Sequence, residues 1–344
     1  MTIPVENIYY LLLYAWNRLE EHEIVAVRPD GSTDLLNLLA RVLVSGVNHL
    51  QRRGLDREYI RREERIPGIR CKLEVSASIK QLAFPMATAV CSFDELSYDV
   101  IQNQIIRSTM GSLIRMPEVD NSLRNELAGI HRKLDEVSEI EVTADSYRAV
   151  RLHRNNAFYG FLLQVCRFIQ ENSFPSEESG EMLFRDVIRD RLPAIFEDFV
   201  RNFYERETVW RTGRMKFKWQ NVEADDYDLA LLPNLNTDVT LEHDSEVIVI
   251  DTKYYKNTLA EVYGKEVVHP ANLYQLYAYI RNLDLLCPGK RVGGMLLYPT
   301  VQRELDLTYT IHGYAIHVRT VNLMQPWQKI ADRLQSLAPL PVLV

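Results

Sequence analysis

The sequence contains few cysteines, and they are not arranged to bind a metal or to form a disulfide framework. Among its 344 residues there are four, Cys71, Cys91, Cys166 and Cys287, with no C-x-x-C pair and no Cys/His cluster. This spacing excludes a zinc ribbon and a disulfide-rich secreted domain. We therefore expect a reducing environment and predict a cytoplasmic protein.

Long apolar runs and a surplus of positive charge are also missing. The apolar stretch Ile8–Trp16 is about half of the roughly 20 residues that cross a bilayer, so we expect a buried helix and no membrane partner. The start of the chain lacks the basic region and the cleavage site of a signal peptide. The net charge of −7 excludes a protein coated in positive charge, but it allows a local nucleic-acid groove.

The common nucleotide-binding signatures are absent as well. The segment CPGKRVGG, residues 287–294, does not have the spacing of a P-loop, and there is no dinucleotide fingerprint. If the protein serves a machine driven by a nucleoside triphosphate, another chain must therefore bind and hydrolyse that nucleotide.

The patterning that is present differs between the two halves of the chain. Residues 1–150 contain amphipathic helices and a β-rich piece around Pro67, without a catalytic constellation. The periodicity fades over residues 141–156, and from Met182 we interpret the pattern as strand, helix, three strands, helix and strand. We predict an α+β interaction domain in the first half, followed by a mixed α/β domain over residues 151–344.

The clearest chemical signal is at the end of an apolar strand. In VIVIDTKYY, residues 247–255, four apolar residues lead into Asp251 and Lys253, which share a face because strand residues two apart do so. The preceding stretch LNTDVTLE predicts the other strand of a hairpin centred near residues 243–244, which places Asp238 on the same face. Two carboxylates suit Mg²⁺, and Lys253 can orient a metal-bound water. The alternative is a plain cross-strand ion pair of Asp238 and Lys253.

Two helices flank this hairpin in the sequence. The upstream one carries Glu197 among apolar positions, and the downstream one carries Gln275 and Tyr279, which share a helix face. We expect Gln275 and Tyr279 to support the site. For Glu197, a supporting role and a solvated or capping role remain open.

A basic stretch, RTGRMKFKWQ, lies between the first helix and the hairpin. Arg214, Lys216 and Lys218 alternate with apolar residues, so on one strand they would share a face. They are candidates for binding DNA phosphates. The alternative is an edge strand whose charges protect it from aggregation.

The order of these elements resembles the PD-(D/E)xK nuclease superfamily: helix with Glu, strand with Asp, strand with D-x-K, and helix with Q-x-x-x-Y. The resemblance implies a restriction-endonuclease-like fold for the second domain. Pro233 lies five residues before Asp238, so the literal proline–aspartate pair of the motif name is missing.

A more specific resemblance extends over nearly the whole chain and is to the McrC family. The similar stretches occur in the same order; they are IPVENIYYLLLYAWN, RIPGIRCKLE, FDELSYDVIQNQIIRST, TDVTL with VIVIDTKYYK, NLYQLYAYI and GGMLLYPT. Cys71 stands where the family usually has glycine.

This resemblance implies a nuclease subunit of a methylcytosine-dependent restriction system, with Asp238, Asp251 and Lys253 as catalytic residues and Mg²⁺ on the two carboxylates. It implies a hexameric McrB-like AAA+ partner that binds and hydrolyses GTP, an N-terminal part that inserts into the partner's pore and stimulates hydrolysis, and double-stranded DNA as substrate. Self-association within the assembled complex is left open. The alternatives are a non-catalytic adaptor of an AAA+ motor and a stand-alone repair or RNA-processing nuclease.

Overall fold

The structure, a computed structural model, describes residues 3–20, 34–173, 184–254, 259–262, 265–300 and 304–338. The helices, numbered along the chain, are α1 Val5–Ala15, α2 Leu35–Arg53, α3 Val75–Lys80, α4 Ile101–Arg115, α5 Asn121–Arg132, α6 Ala144–Ala149, α7 Ala157–Ser173, α8 Phe184–Glu207, α9 Asp226–Leu231, α10 Pro270–Leu286 and α11 Trp327–Leu337. The strands are β1 Glu58–Pro67, β2 Lys72–Leu73, β3 Thr88–Ser97, β4 Arg211–Gly213, β5 Lys216–Phe217, β6 Leu235–Asn236, β7 Val239–His243, β8 Glu246–Thr252, β9 Ala260–Val262, β10 Lys265–Val267, β11 Arg291–Thr300, β12 Asp306–Ile311 and β13 Tyr314–Asn322.

The chain divides into two units, and the division differs from the predicted one into residues 1–150 and 151–344. The N-terminal unit contains the described residues 36–173, so it includes helix α7. The C-terminal unit joins residues 3–20 to the described residues from 184 onward. Local periodicity did not reveal this arrangement, because it depends on which apolar faces meet in space.

Helices form the body of the N-terminal unit, as their amphipathic patterns predicted. Gly46 of α2 lies so close to α7 that a Cβ atom there would come within 2.3 Å of a Leu162 methyl carbon, so the two helices pack closely at this glycine. Gly54 follows α2 with φ +96°, a conformation that favours glycine and ends the helix where the sequence predicted.

A long hairpin, residues 58–97, extends from this body, and we call it the hairpin arm. Strands β1 and β3 pair antiparallel over ten residues, from Glu58 opposite Ser97 to Pro67 opposite Thr88, a span of about 33 Å. Nearly every residue of β1 is exposed, so solvent reaches both of its faces. The far end of the arm carries β2, α3 and a 3₁₀ turn. The β-rich piece predicted around Pro67 is therefore confirmed.

A buried polar network holds the base of the hairpin arm. The Asp56 carboxylate accepts hydrogen bonds from the side chains of Gln102 and Asn156, each at 2.7 Å. Tyr159 donates to Asn103 at 2.7 Å, and its hydroxyl accepts from the Asp56 backbone N–H at 2.9 Å. The arm is thereby fixed to α4 and α7 by bonds with defined geometry.

A mixed six-stranded sheet, in the order β12-β13-β11-β8-β7-β4, forms the core of the C-terminal unit. Strand β8 is parallel to β11 and antiparallel to β7, and it is buried along almost its whole length. Helix α10 covers the face that carries Val247 and Val249. Gly294 of β11 permits this, because a Cβ atom there would lie 2.7 Å from Ile280 and 2.8 Å from Leu276 of the helix.

Helix α1 completes a second apolar layer of this unit, which explains why residues 3–20 belong to it. Tyr10 stacks on Trp327 of α11 with ring centroids 4.6 Å apart. Asn7 donates to the Leu323 carbonyl at 2.7 Å, and Tyr14 donates to Glu207 of α8 at 2.9 Å. The buried helix predicted at Ile8–Trp16 is confirmed, and among the described residues no helix is long and apolar enough to cross a membrane.

The strand predicted to begin at Met182 is not found. Residues 182–183 lie outside the described ranges, and α8 begins at Phe184. The buried positions of α8 include Leu192, Ile195, Phe196 and Phe199, a helical spacing that favours a helix over a strand.

Candidate functional site

Asp251 and Lys253 lie at the carboxyl end of the central strand β8. Asp251 is 0 % exposed, and its register partner on β11 is Leu296. The Lys253 backbone N–H donates to the Leu297 carbonyl at 3.0 Å, which extends the ladder to the end of the motif. The Lys253 ammonium donates to Asp251 Oδ1 at 2.9 Å. The aspartate and lysine therefore project together, as their spacing predicted.

Asp238 lies immediately before β7 rather than inside a strand, and it is half-buried. Asp244 and Ser245 form the turn between β7 and β8, and Val239 pairs with Ile250. The same register, continued by one residue, places Asp238 opposite Asp251. The hairpin thus brings the two predicted carboxylates to one end of the sheet.

Thr252 fixes the orientation of the Asp238 carboxylate. The Thr252 backbone N–H donates to Asp238 Oδ2 at 2.9 Å, and the hydroxyl donates to the same oxygen at 3.1 Å. Both donors use one oxygen, which leaves Oδ1 of Asp238 for another ligand. The sequence motifs alone do not indicate this role of Thr252; the register of the hairpin is the signal that points to the Thr252–Asp238 pair.

The Asp251 carboxylate lies in a strongly perturbed environment. Its Oδ2 atom is buried and has no hydrogen-bond partner. The pKa of Asp251 is raised to about 7: burial is the main cause, the nearby Lys253 ammonium opposes the shift, and the charges of Asp238 and Glu197 add to it. A buried carboxyl with one unused oxygen and two neighbouring acids is the environment that a divalent cation stabilises.

Glu197 projects from α8 towards the same region. Burial raises its pKa, and the Asp238 carboxylate adds to this shift, whereas Arg214 lowers the pKa. Arg214 contacts Glu197 Oε1 at 2.6 Å and Asp198 Oδ1 at 3.0 Å. Glu197 therefore lies inside α8 with its side chain 25 % exposed, and it is paired with an arginine from the predicted basic stretch.

Gln275 and Tyr279 lie on one face of α10, as their spacing predicted. The Gln275 side-chain amide donates to the Tyr279 hydroxyl at 2.8 Å. Tyr279 is 5 % exposed, and burial raises its pKa, with further contributions from the charges of Asp251 and Asp238. The pair thus lies within electrostatic reach of the two aspartates.

The donor set fits a cation that needs few protein ligands. Across the described ranges, no three side chains of His, Cys, Asp or Glu converge in an arrangement that could hold a metal ion. Asp238 and Asp251 supply two carboxylates, and the unpartnered Oδ2 of Asp251 is a free acceptor. Mg²⁺ usually keeps several waters and binds through one or two carboxylates, so the two aspartates are compatible with it.

The predicted basic strand is interrupted. Strand β4 belongs to the six-stranded sheet, whereas β5 pairs with β6. The strand is interrupted at Arg214 and Met215, because the Met215 backbone is hydrogen-bonded to Thr237. Arg214, Lys216 and Lys218 are nevertheless exposed, and Phe217 between the two lysines is buried. The structure places Arg214 beside Glu197; Lys216 and Lys218 lie on and just after β5.

Comparison with known proteins places the chain in one family. A family model described as McrBC 5-methylcytosine restriction system component matches residues 7–299. The chain is 35 % identical over 340 residues to the Type IV methyl-directed restriction enzyme EcoKMcrBC of Escherichia coli K12, covering 97 % of each sequence.

A solved structure shows the same fold. It is a half-complex from a tetradecameric assembly of Thermococcus gammatolerans McrB AAA+ hexamers with bound McrC, with a TM-score of 0.62 and 16 % identity. The match covers 97 % of this chain and 75 % of that chain.

Proposed function

Because the chain belongs to the McrBC 5-methylcytosine restriction system family, we propose that it is the endonuclease subunit of a GTP-dependent complex that cleaves methylated DNA. The observation that carries the proposal is the placement of Asp238, Asp251 and Lys253 together at the end of β8. In this proposal the C-terminal unit is a PD-(D/E)xK nuclease domain.

In this proposal Asp238 and Asp251 would hold Mg²⁺. When bound, the ion would supply an activated water and neutralise charge that develops on the phosphate. Asp251 offers its unpartnered Oδ2, and Asp238 offers Oδ1, because Thr252 engages the other oxygen. Each carboxylate is thus held through one oxygen and offers the other to the cation.

Lys253 orients the attacking water and stabilises the phosphoryl oxygens. It is anchored to Asp251 and its side chain is 17 % exposed, so its position is defined before substrate arrives. An ammonium group that is already fixed near the negative charge developing on the phosphate needs little reorganisation during the reaction. Gln275 and Tyr279 support the site from α10. Their hydrogen bond restricts the Tyr279 ring, which lies within electrostatic reach of the Asp238 and Asp251 carboxylates.

Duplex DNA is the substrate, and the exposed Arg214, Lys216 and Lys218 bind its phosphates. Two carboxylates repel a polyanion, so a nearby basic track is needed to hold the DNA at the site. Such contacts position the duplex without reading its sequence. Recognition of the modified base is therefore assigned to the partner.

The hairpin arm is proposed as the segment that engages an McrB-like AAA+ hexamer, which binds and hydrolyses GTP. Its far end exposes large apolar side chains that a lone soluble domain would bury; they include Ile69, Ile79, Leu82, Phe84 and Met86, between 46 % and 69 % exposed. A cluster of this kind marks a protein-binding surface. The Thermococcus gammatolerans McrB AAA+ hexamers with bound McrC support a partner of this class.

The test is cleavage of a methylated duplex by the chain together with a McrB-type partner. We expect cutting only when the chain, the partner, GTP and Mg²⁺ are all present, and we expect EDTA to stop it. GTP turnover by the partner should rise when the chain is added. Stimulated GTP turnover without cleavage of any methylated duplex would support a non-catalytic adaptor instead, and Mg²⁺-dependent cutting without a partner would support a stand-alone nuclease.

A further inference from the structure

The contact between Arg214 and Glu197 is arranged so that it can be exchanged. One guanidinium nitrogen, Nη2, contacts both Glu197 Oε1 at 2.6 Å and Asp198 Oδ1 at 3.0 Å. Asp198 also contacts Arg201 at 2.6 Å, so the Asp198 carboxylate still has a guanidinium partner if Arg214 moves away. Arg214 lies in the break between β4 and β5, and its side chain is 51 % exposed.

Glu197 lies near Asp238 and Asp251 but does not form a three-carboxylate metal site with them. The ring of Phe196, next to Glu197, lies 6.1 Å from the ring of Tyr254, which follows Lys253. Burial raises the pKa of Glu197 and the Asp238 charge adds to this shift, and Glu197 in turn contributes to the raised pKa of Asp251. Yet in the part of the chain that the structure describes, no three acidic, histidine or cysteine side chains converge on a metal position. Glu197 is instead bound by Arg214 at 2.6 Å.

We infer that Arg214 is a positioning residue that occupies Glu197 until a divalent cation and DNA bind, and that it then moves from Glu197 to a DNA phosphate. The cation would gain Glu197 as a third carboxylate, and the phosphate would gain a guanidinium, which matches phosphate geometry well. This inference rests on the proposed nuclease function of the site.

The energetics favour such an exchange. Arg214 is 51 % exposed, and an ion pair with a solvent-exposed partner contributes at most about fivefold to an equilibrium constant, so the contact with Glu197 does not hold Arg214 in place. A divalent cation that binds Glu197 releases Arg214 for a DNA phosphate, and a phosphate that binds Arg214 releases Glu197 for the cation. Cation binding and DNA binding should therefore strengthen each other by the same factor, because linkage is reciprocal.

The test uses the full chain with Ca²⁺, the hard cation that prefers oxygen ligands, and a short duplex. Ca²⁺ binding is measured by titration calorimetry, and duplex binding by fluorescence anisotropy with and without Ca²⁺. For Arg214→Ala without DNA, we expect Ca²⁺ to bind about two- to fivefold more tightly, because an exposed ion pair no longer competes for Glu197. The duplex should bind more weakly, and the factor by which Ca²⁺ strengthens duplex binding should fall.

Arg211→Ala is the matched control. It removes the same charge from neighbouring β4, where Arg211 is 85 % exposed and pairs with Glu242 at 3.7 Å. We expect wild-type Ca²⁺ binding and wild-type coupling. Adding Glu197→Gln to Arg214→Ala should abolish the tighter Ca²⁺ binding, and Arg214→Lys should retain part of the coupling.

Three outcomes would overturn the inference: unchanged or weaker Ca²⁺ binding by Arg214→Ala, an equal effect of Arg211→Ala, or tighter binding that persists in the double variant. A failure of the nuclease assignment has a different signature. In that case the wild-type chain would show no Ca²⁺ binding that Asp251→Ala removes, and the inference would fail together with the proposed function.

Discussion

The hydroxyl of Thr252 provides a sharp test of how the carboxylates are held. Thr252→Val replaces the hydroxyl by a methyl group of similar size in a side chain that is 9 % exposed. It removes the 3.1 Å hydrogen bond to Asp238 Oδ2 and keeps the 2.9 Å bond from the backbone N–H. The fold should tolerate the change, because the shape of the residue is conserved.

The expected loss follows from the charge of the acceptor. A hydrogen bond to a charged group contributes about 1.5–3 kcal/mol, and because one of the two donors remains, we take the lower part of that range. A loss of about 1.5 kcal/mol weakens cation binding roughly tenfold, which agrees with the effect of residues that orient metal ligands. Asp238 would then sample orientations in which Oδ1 does not face the cation.

The assay is titration of the full chain with Mg²⁺ or Ca²⁺ by calorimetry, followed by cleavage with the partner present. Thr252→Ser keeps a hydroxyl and should bind the cation within about twofold of wild type, since the charge-assisted bond can re-form. If Thr252→Val binds the cation as tightly as wild type, the Thr252 hydroxyl does not set the orientation of Asp238.

The remaining predictions concern pH, salt and the partner. Asp251 has a folded-state pKa near 7 against 3.8 for an ordinary aspartate, so the metal-free chain should lose stability as pH rises from about 4 to 7. Asp251→Asn should remove this pH dependence and should be more stable than the wild-type chain at pH 8 by at most about 4 kcal/mol. Thermal unfolding measured across this pH range tests both expectations. Lys216→Ala with Lys218→Ala should flatten the dependence of log K on log salt by roughly 0.9 for each DNA phosphate that the variant no longer neutralises, and superimposable slopes would leave these lysines as a solvated edge. Ile79→Asp, at a 60 % exposed position of the hairpin arm, should reduce stimulated GTP turnover, whereas Leu231→Asp, at a 68 % exposed position of α9, should not.

Sequence periodicity was sufficient to predict the strand that carries the D-x-K motif, because β8 is an apolar run that leads into Asp251 and Lys253. It also predicted the shared face of Gln275 and Tyr279, which depends only on helical spacing. The helical spacing of residues 35–53 and the glycine after them likewise gave α2 and its end.

Features that depend on distant partners were not predictable in this way. Nothing local shows that α1 packs against Trp327, so from the sequence only the fading periodicity indicates a domain boundary. The alternation from Arg214 to Trp219 predicted one strand, but Thr237 holds the Met215 backbone and divides it. The Arg214–Glu197 pair joins a helix to the end of a strand, and no spacing rule connects these two positions.

The most direct test of the central claim separates cleavage from stimulation of the partner. Asp251→Ala should abolish cutting of methylated duplex in the presence of a McrB-type partner, GTP and Mg²⁺, while GTP turnover stays at the level given by the wild-type chain, since the change is confined to the end of β8. Full cutting by this variant would contradict the assignment of the nuclease site to Asp238, Asp251 and Lys253.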